Sequence, residues 1–199
     1  MAKRYATTES VSCVEYFDNF LPEEVAKTAF DDILDEVNFL SDEKSAVTMY
    51  GKKIVIPRKQ CGYGDDGTSY KFTGVKVEGN FWCDVPTLKT IKEVIWEKLD
   101  IPVNFVLVNL YRNGNDYIGY HSDDEKDLDA NYPIISLSFG AERAFRLKHK
   151  VTGKIHEKVL KNNSCIMMKP PCQRLYKHSV PKSKKIKTPR INLTFRVIK

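Results

Sequence analysis

The sequence predicts a mostly β protein with flanking α-helices, an antiparallel sandwich or barrel buttressed by helices. Three observations point there. Several short runs are rich in β-branched and aromatic residues, and one near the C-terminus alternates strictly between apolar and polar. Helical periodicity is confined to two segments in the first half of the chain. No glycine-rich phosphate loop follows a strand-like run, which disfavours the nucleotide-cofactor folds.

Taken in order, residues 1–11 read as a flexible tail. From Pro22 onward Val25, Ala26, Ala29, Phe30, Ile33, Leu34 and Val37 recur at helical spacing. Pro22-Glu23-Glu24 suits a first turn, where a proline gives up no hydrogen bond and acids meet the positive end of the helix dipole. Ala46–Tyr50 and Lys53–Pro57 flank Gly51 and read as a hairpin. Cys61 to Gly74 (CGYGDDGTSYKFTG) reads as a mobile loop ending in Tyr70, Lys71 and Phe72. A second helix opens near Pro86, with Leu88, Ile91, Ile95 and Leu99 on one face. Asn104 to Tyr111, Ile134 to Phe139 and Cys165 to Met168 read as strands. Lys148 to Lys158 reads as an exposed hairpin, and Gln173 to Lys177 as a strand-like stretch leading to His178. In the last strand Ile191, Leu193, Phe195 and Val197 fall on one face, and Arg190, Asn192, Thr194 and Arg196 on the other.

A length of 199 residues suits one domain of ordinary size, and 42% hydrophobic with 29% charged residues suits a soluble globular chain. No apolar run approaches the roughly 20 residues of a membrane helix, and the first residues lack the apolar stretch of a secretory signal. Five cysteines, odd in number and without a C-x-x-C pair, point away from a disulfide framework and toward a reducing intracellular compartment. Charge is segregated. Residues 148–199 hold fifteen Lys/Arg against one acid, Glu157, whereas residues 1–147 hold seventeen against twenty-five. Such a basic half suggests a face that meets a polyanion, nucleic acid being the commonest.

His121-Ser122-Asp123 carries the sharpest chemistry. In extended backbone, residues two apart point the same way, so an imidazole and a carboxylate can hold one metal ion from one side. A distant histidine would complete a facial triad, leaving three positions open on an octahedral ferrous ion for substrate and dioxygen. Of the remaining histidines, His149 and His156 sit among lysines, whereas His178 follows a strand-like stretch and precedes Pro181; it is the third ligand chosen. Arg190 and Arg196 share the polar face of a strand whose other face is apolar, so they point to solvent or into a cavity. There a dicarboxylate co-substrate would satisfy both guanidinium groups by paired hydrogen bonds.

These residues, in this order, resemble the AlkB family of ferrous, 2-oxoglutarate-dependent dioxygenases. Asn109-Leu110-Tyr111-Arg112 matches the family's Asn-x-Tyr co-substrate strand, and Arg190–Arg196 (RINLTFR) its closing strand. Pro57-Arg58-Lys59-Gln60, Tyr70-Lys71-Phe72-Thr73-Gly74 and Asp123-Asp124-Glu125 resemble the branch that repairs alkylated double-stranded DNA. The resemblance covers residues 12–199 as a single domain. It implies a double-stranded β-helix (jelly roll) over about 103–199, with N-terminal helices and a nucleotide-recognition lid over about 46–74. It further implies that His121, Asp123 and His178 bind Fe(II). Asn109, Tyr111, Thr194 and the two arginines would hold 2-oxoglutarate, with Arg190 on the distal carboxylate. With O2, such an enzyme hydroxylates the N-methyl group of a base of the 1-methyladenine or 3-methylcytosine type. The products are succinate, CO2, formaldehyde and the repaired base.

The damaged base has to leave the stack. By the same resemblance Tyr70, Lys71 and Phe72 belong to its pocket, opposite His121, while Asp124 and Glu125 attract the positive charge that methylation creates. Met49-Tyr50-Gly51-Lys52 corresponds to the family's intercalating finger, with Tyr50 where the branch commonly has phenylalanine; an aromatic wedge offsets part of the unstacking cost. Lys182, Lys184, Lys185 and Lys187 would grip phosphates near the site, and Arg58 and Lys59 would do so on its other side. The expected partners are duplex and single-stranded DNA, with no membrane, for a monomer kept in the nucleus or wherever the genome lies. An RNA N-methyl demethylase and a non-catalytic nucleic-acid binder are the alternatives; the complete iron and co-substrate set argues against the second. A small-molecule or prolyl hydroxylase would leave the aromatic lid and basic face without a use.

Overall fold

In the computed structural model, which describes residues 11–49, 51–72 and 75–199, fourteen strands and three helices follow one another. They are β1 (Val14–Phe17), α1 (Glu23–Glu36), β2 (Ala46–Met49), β3 (Lys52–Val55), β4 (Lys59–Gly64), β5 (Ser69–Phe72), β6 (Val75–Phe81) and α2 (Pro86–Leu99). After these come β7 (Phe105–Tyr111), β8 (Ile118–His121), β9 (Ile134–Gly140), β10 (Arg143–His149), β11 (Ile155–Leu160) and β12 (Ser164–Met168). The chain closes with α3 (Cys172–Leu175), β13 (Tyr176–Val180) and β14 (Arg190–Arg196).

Alternation along β14 organises the rest. Ile191, Leu193 and Phe195 join Val106, Val108 and Leu110 of β7 and Ile135, Leu137 and Phe139 of β9 in one apolar core. The two helices cover that core: α1 buries Ala29 and Ile33 against it, and α2 buries Leu88, Ile91, Val94 and Ile95. Each such Leu or Ile contributes about 1.5–3 kcal/mol by leaving water. Both helices start as predicted, α1 after Pro22 with Glu23 and Glu24 in its first turn and α2 with Pro86 in its first turn. Asp100 stops α2 by taking a left-handed φ of 54°.

An eight-stranded sheet runs β1-β12-β9-β14-β7-β4-β6-β5, and a four-stranded one runs β11-β10-β13-β8. The pairing of β4 with β6 is parallel, while the other strand pairs are antiparallel. A second core forms where the sheets face each other, with Leu107, Tyr111, Ile134, Ile166 and Met168 from the large sheet meeting Phe145, Leu147, Leu160 and Val180. Hairpin β2–β3 is a separate two-stranded sheet with Gly51 at its turn, at φ 74°. No helix among the described residues is long and apolar enough to cross a membrane.

Two expectations are corrected. Cys61 to Gly64 is not part of a mobile loop; it is the buried end of β4, paired with β7 from Lys59↔Leu110 to Gly64↔Phe105. Its glycines serve close packing: a Cβ on Gly62 would lie 2.8 Å from Phe105 Cζ, and one on Gly64 2.1 Å from Thr68 Oγ1. Ser69–Phe72 is a strand as well, leaving a short turn between the two. Gln173 to Leu175 is helical rather than strand-like, because the Pro171 carbonyl accepts from the Arg174 and Leu175 N–H groups at 2.9 and 3.1 Å and closes a turn. His178 therefore sits in mid-strand, directly opposite His121 on β8.

Candidate active site

A cavity of about 500 Å³ opens between the two sheets. The large sheet contributes Asn109 and Tyr111 from β7 and Arg190, Asn192, Thr194 and Arg196 from β14, and the small sheet contributes His121, Phe145 and His178. Register explains the convergence. Arg190 lies opposite Tyr111 and Asn192 opposite Asn109 across the ladder, and paired residues share a face.

His121, Asp123 and His178 place one donor atom each within 4.8 Å of the others. Asp123 Oδ1 is 3.4 Å from His121 Nε2 and 4.0 Å from His178 Nε2, both shorter than two metal–ligand bonds of about 2.1 Å laid end to end. A carbonyl can only accept, so the 2.9 Å contact of His121 Nδ1 with the Gly119 oxygen puts the proton on Nδ1 and leaves the Nε2 lone pair for a metal. Burial, reinforced by the neighbouring His121, pushes His178 down to about 3, so its imidazole is neutral. Burial alone would raise the Asp123 carboxyl. The Arg196 guanidinium outweighs it and holds the group well below the usual carboxylate range. Two imidazoles and one carboxylate on one side of a pocket fit a divalent ion with open positions.

The triad is braced from outside. Gln173 Oε1 accepts the Asp123 N–H at 3.0 Å, and Ser122 Oγ donates to the Tyr176 carbonyl at 3.0 Å. Arg196 donates from Nη2 to Asp123 Oδ2 at 3.0 Å and from Nη1 to the Thr194 carbonyl at 3.0 Å, and its guanidinium lies 4.4 Å from the centre of the Tyr70 ring. Tyr70 in turn hydrogen-bonds Glu125, whose carboxyl is raised by burial and by the Asp123 charge.

At the other end Arg190 is 1% exposed. It donates from Nη2 to Ser138 Oγ at 2.9 Å and lies 5.2 Å from the Tyr111 ring centre, but its Nε and Nη1 have no partner. Burial lowers it to about 10, which still leaves it cationic. A buried cation with two unpaired donors fits an anionic group entering the pocket. Asn109 has a defined orientation. Its Oδ1 accepts from Arg58 Nε at 2.9 Å and from Gln60 Nε2 at 3.0 Å, so its NH2 group is the side left to donate to a ligand.

A metal site with open positions beside a buried, unsatisfied guanidinium defines a mononuclear non-haem oxygenase of the kind that takes a carboxylate co-substrate. Comparison with known proteins agrees. The model for the 2OG-Fe(II) oxygenase superfamily matches residues 13–196. The DNA oxidative demethylase ALKBH2 of Mus musculus is 37% identical over 203 residues, covering 98% of this chain and 83% of that protein. Its Homo sapiens counterpart is 38% identical over 181 residues, covering 87% and 69%. The alpha-ketoglutarate-dependent dioxygenase alkB homolog 3 of Homo sapiens is 36% identical over 152 residues, and this chain spans 52% of its length. In fold, the solved structure of OsALKBH1 is similar with a TM-score of 0.62, over 96% of this chain and 100% of that one, at 17% identity. The chain belongs to the AlkB family of 2OG-Fe(II) oxygenases.

Of the residues singled out in the sequence, His121, Asp123, His178, Asn109, Tyr111, Arg190, Thr194, Arg196, Arg58, Tyr70 and Glu125 line this one cavity. Others do not. Asp124 is exposed and faces Lys150 at 3.8 Å, so of the adjacent acids Glu125 alone lines the pocket. Lys71, Gly51 and Lys52 are exposed. Tyr50 lies outside the described residues, as do Thr73, Gly74 and the side chain of Phe72. Arg58 is corrected as a surface phosphate contact. It is 7% exposed and bound to Asn109, because β4 carries it into the pocket wall; Lys59 beside it is paired with Asp42. Ser136 and Ser138 were missed, and Gln60, part of the Pro57–Gln60 motif, had been given no role of its own. Two serines alternating with Ile135, Leu137 and Phe139 were the available signal for the first two.

Proposed function

We propose that this protein is a DNA repair dioxygenase that demethylates bases of the 1-methyladenine and 3-methylcytosine type. It acts on duplex and single-stranded DNA, consumes 2-oxoglutarate and O2, and releases succinate, CO2 and formaldehyde. The observation that carries this reading is the His121–Asp123–His178 cluster sharing one pocket with the unsatisfied guanidinium of Arg190; the ALKBH2 relatives, named DNA oxidative demethylases, supply the substrate class. When bound, Fe(II) would activate O2, the oxidant, with 2-oxoglutarate giving up two electrons as it becomes succinate and CO2; one oxygen atom would hydroxylate the N-methyl carbon, and the hemiaminal so formed would split into formaldehyde and the base N–H.

The residues divide this work by position. Arg190 takes the distal carboxylate of the co-substrate on Nε and Nη1, with the Tyr111 ring against its flat face. Asn109 donates from its NH2, and Thr194 lines the same wall. Arg196 turns the Asp123 carboxylate toward the two imidazoles. Glu125, held by Tyr70 beside the triad, faces the positive charge that N-methylation puts on the base. Ile54, Val55 and Tyr120, each more than a third exposed, line the same cavity and form an apolar rim for a flipped nucleotide. The two facing sheets are read as the double-stranded β-helix of the family, within one domain over 12–199. Hairpin β2–β3 and β5 form the nucleotide-recognition lid, with Tyr50 as its wedge. The exposed lysines 182, 184, 185 and 187 grip phosphates, for a monomer that works where the genome is kept.

The test is formaldehyde and succinate release with Fe(II), 2-oxoglutarate and 1-methyladenine placed in duplex DNA, single-stranded DNA or RNA. Formaldehyde from methylated DNA that disappears in His121→Ala is the expected result. Strongest release from RNA would assign an RNA demethylase, and succinate without base repair would place the substrate elsewhere.

A further inference from the structure

Between β13 and β14 the chain crosses the surface carrying Lys182, Lys184, Lys185 and Lys187, all exposed. This segment is held at several points. The Ser183 N–H donates to the Gly114 carbonyl at 2.8 Å, the Gly114 N–H donates to the Ile186 carbonyl at 3.0 Å, and the Ile186 N–H turns back onto Ser183 at 3.1 Å. Gly114 is pressed so closely that a Cβ there would lie 1.7 Å from the Ser183 oxygen. Lys182 Nζ rests 4.6 Å from the centre of the Tyr117 ring, which lines the active-site cavity.

Under this contact lies Arg143 of β10, 2% exposed. Its Nη2 donates to the carbonyls of Asp116 and Pro181, both at 2.8 Å, and its Nη1 to that of Asn113 at 3.3 Å. The acceptors come from two different loops. Asn113 and Asp116 frame the turn that holds Gly114, and Pro181 opens the lysine segment. The Asp116 carboxylate is engaged elsewhere, by Arg112 Nε and Nη2 at 2.8 and 2.9 Å. A planar guanidinium can serve three carbonyls in fixed directions, which a lysine ammonium on a flexible stem cannot do.

We infer that Arg143 is a positioning residue for nucleic-acid binding: by tying Pro181 to the 113–116 turn, it holds lysines 182–187 in place beside the pocket mouth. The inference rests on the nucleic-acid reading above. A phosphate-binding loop already fixed in position loses less conformational freedom when a strand docks, so its affinity is higher than that of the same lysines on a loose loop.

Arg143→Lys keeps the charge and removes the fork, and Gly114→Ala drives a methyl group against Ser183 from the opposite side. Both should let trypsin cut the native protein within 182–187 about fivefold faster. Both should also raise the Kd for a 1-methyladenine duplex about tenfold, while Gly114→Ala leaves 2-oxoglutarate affinity unchanged. Wild-type trypsin resistance in both variants would overturn the inference, as would faster cutting with unaltered duplex affinity. Absence of formaldehyde release from methylated DNA by the wild type removes the nucleic-acid reading instead, and the trypsin comparison then decides alone whether Arg143 holds the loop.

Discussion

Replacing Arg190 by methionine should make the free protein more stable and unable to hold its co-substrate. Arg190 is 1% exposed and carries its charge among neutral partners, with Nε and Nη1 unpaired. The fall of its pKa from 12.5 to about 10 corresponds to about 3 kcal/mol of unfavourable burial at neutral pH. Methionine fills a similar length without charge, a kind of exchange that is neutral or stabilising by roughly 1–4 kcal/mol. Against this stands the lost bond to Ser138 Oγ, itself 1% exposed, whose unpaired oxygen costs about 1–2 kcal/mol. The net gain is about 1–2 kcal/mol, or a rise in Tm of roughly 2–8 °C for a domain of this size. Thermal unfolding in chelator measures it directly. In a second scan, adding 2-oxoglutarate at a hundred times Kd to the Mn(II)-loaded protein should stabilise the wild type by about 2.7 kcal/mol and leave Mn(II)-loaded Arg190→Met unmoved. A variant that melts below the wild type in chelator, or that still responds to 2-oxoglutarate, would refute the reasoning.

Asp123→Ala removes the metal carboxylate and strands Arg196 with the Thr194 carbonyl as its remaining hydrogen-bond acceptor; calorimetry should show no Mn(II) binding and a stability loss of roughly 3–5 kcal/mol. Gly62→Ala would push a Cβ to 2.8 Å from Phe105 Cζ and Val77 Cγ1 and to 2.9 Å from the Glu78 carbonyl, so urea unfolding should report a loss of about 1–3 kcal/mol. Wild-type stability there would mean that β4 packs more loosely than described. The Lys184→Glu, Lys185→Glu pair should weaken duplex binding regardless of sequence and flatten its dependence on salt. An unchanged slope of log Kd against log salt would take those lysines off the phosphates.

Wherever a feature depends on residues near one another in sequence, it was legible there. Both helices follow from 3.6-residue spacing and their opening prolines, and the polar face of β14 from strict alternation. His121 and Asp123 are two residues apart on extended backbone, so their shared direction needs no tertiary information. His178 could be chosen because its competitors stood among lysines in an exposed hairpin.

Periodicity states which side chains share a face, but not what that face meets. Cys61 to Gly64 looked like loop because glycines commonly punctuate turns. The reason for Gly62 lies with Phe105, more than forty residues away, against which it must pack without a Cβ. Arg58 looked like a phosphate contact until β4 paired with β7 and turned it onto Asn109. Asp124 and Glu125 were indistinguishable in the chain, and the path of the backbone after Asp123 sends the first to Lys150 and the second to Tyr70. The sequence by itself determined the two long helices, the His121–Asp123 pair and the arginine-bearing strand, since each is encoded over a few neighbouring residues. Only the tertiary structure decided which charges are buried and left unpaired, because burial depends on the opposite sheet, and that is assembled from four strands scattered over residues 118–180.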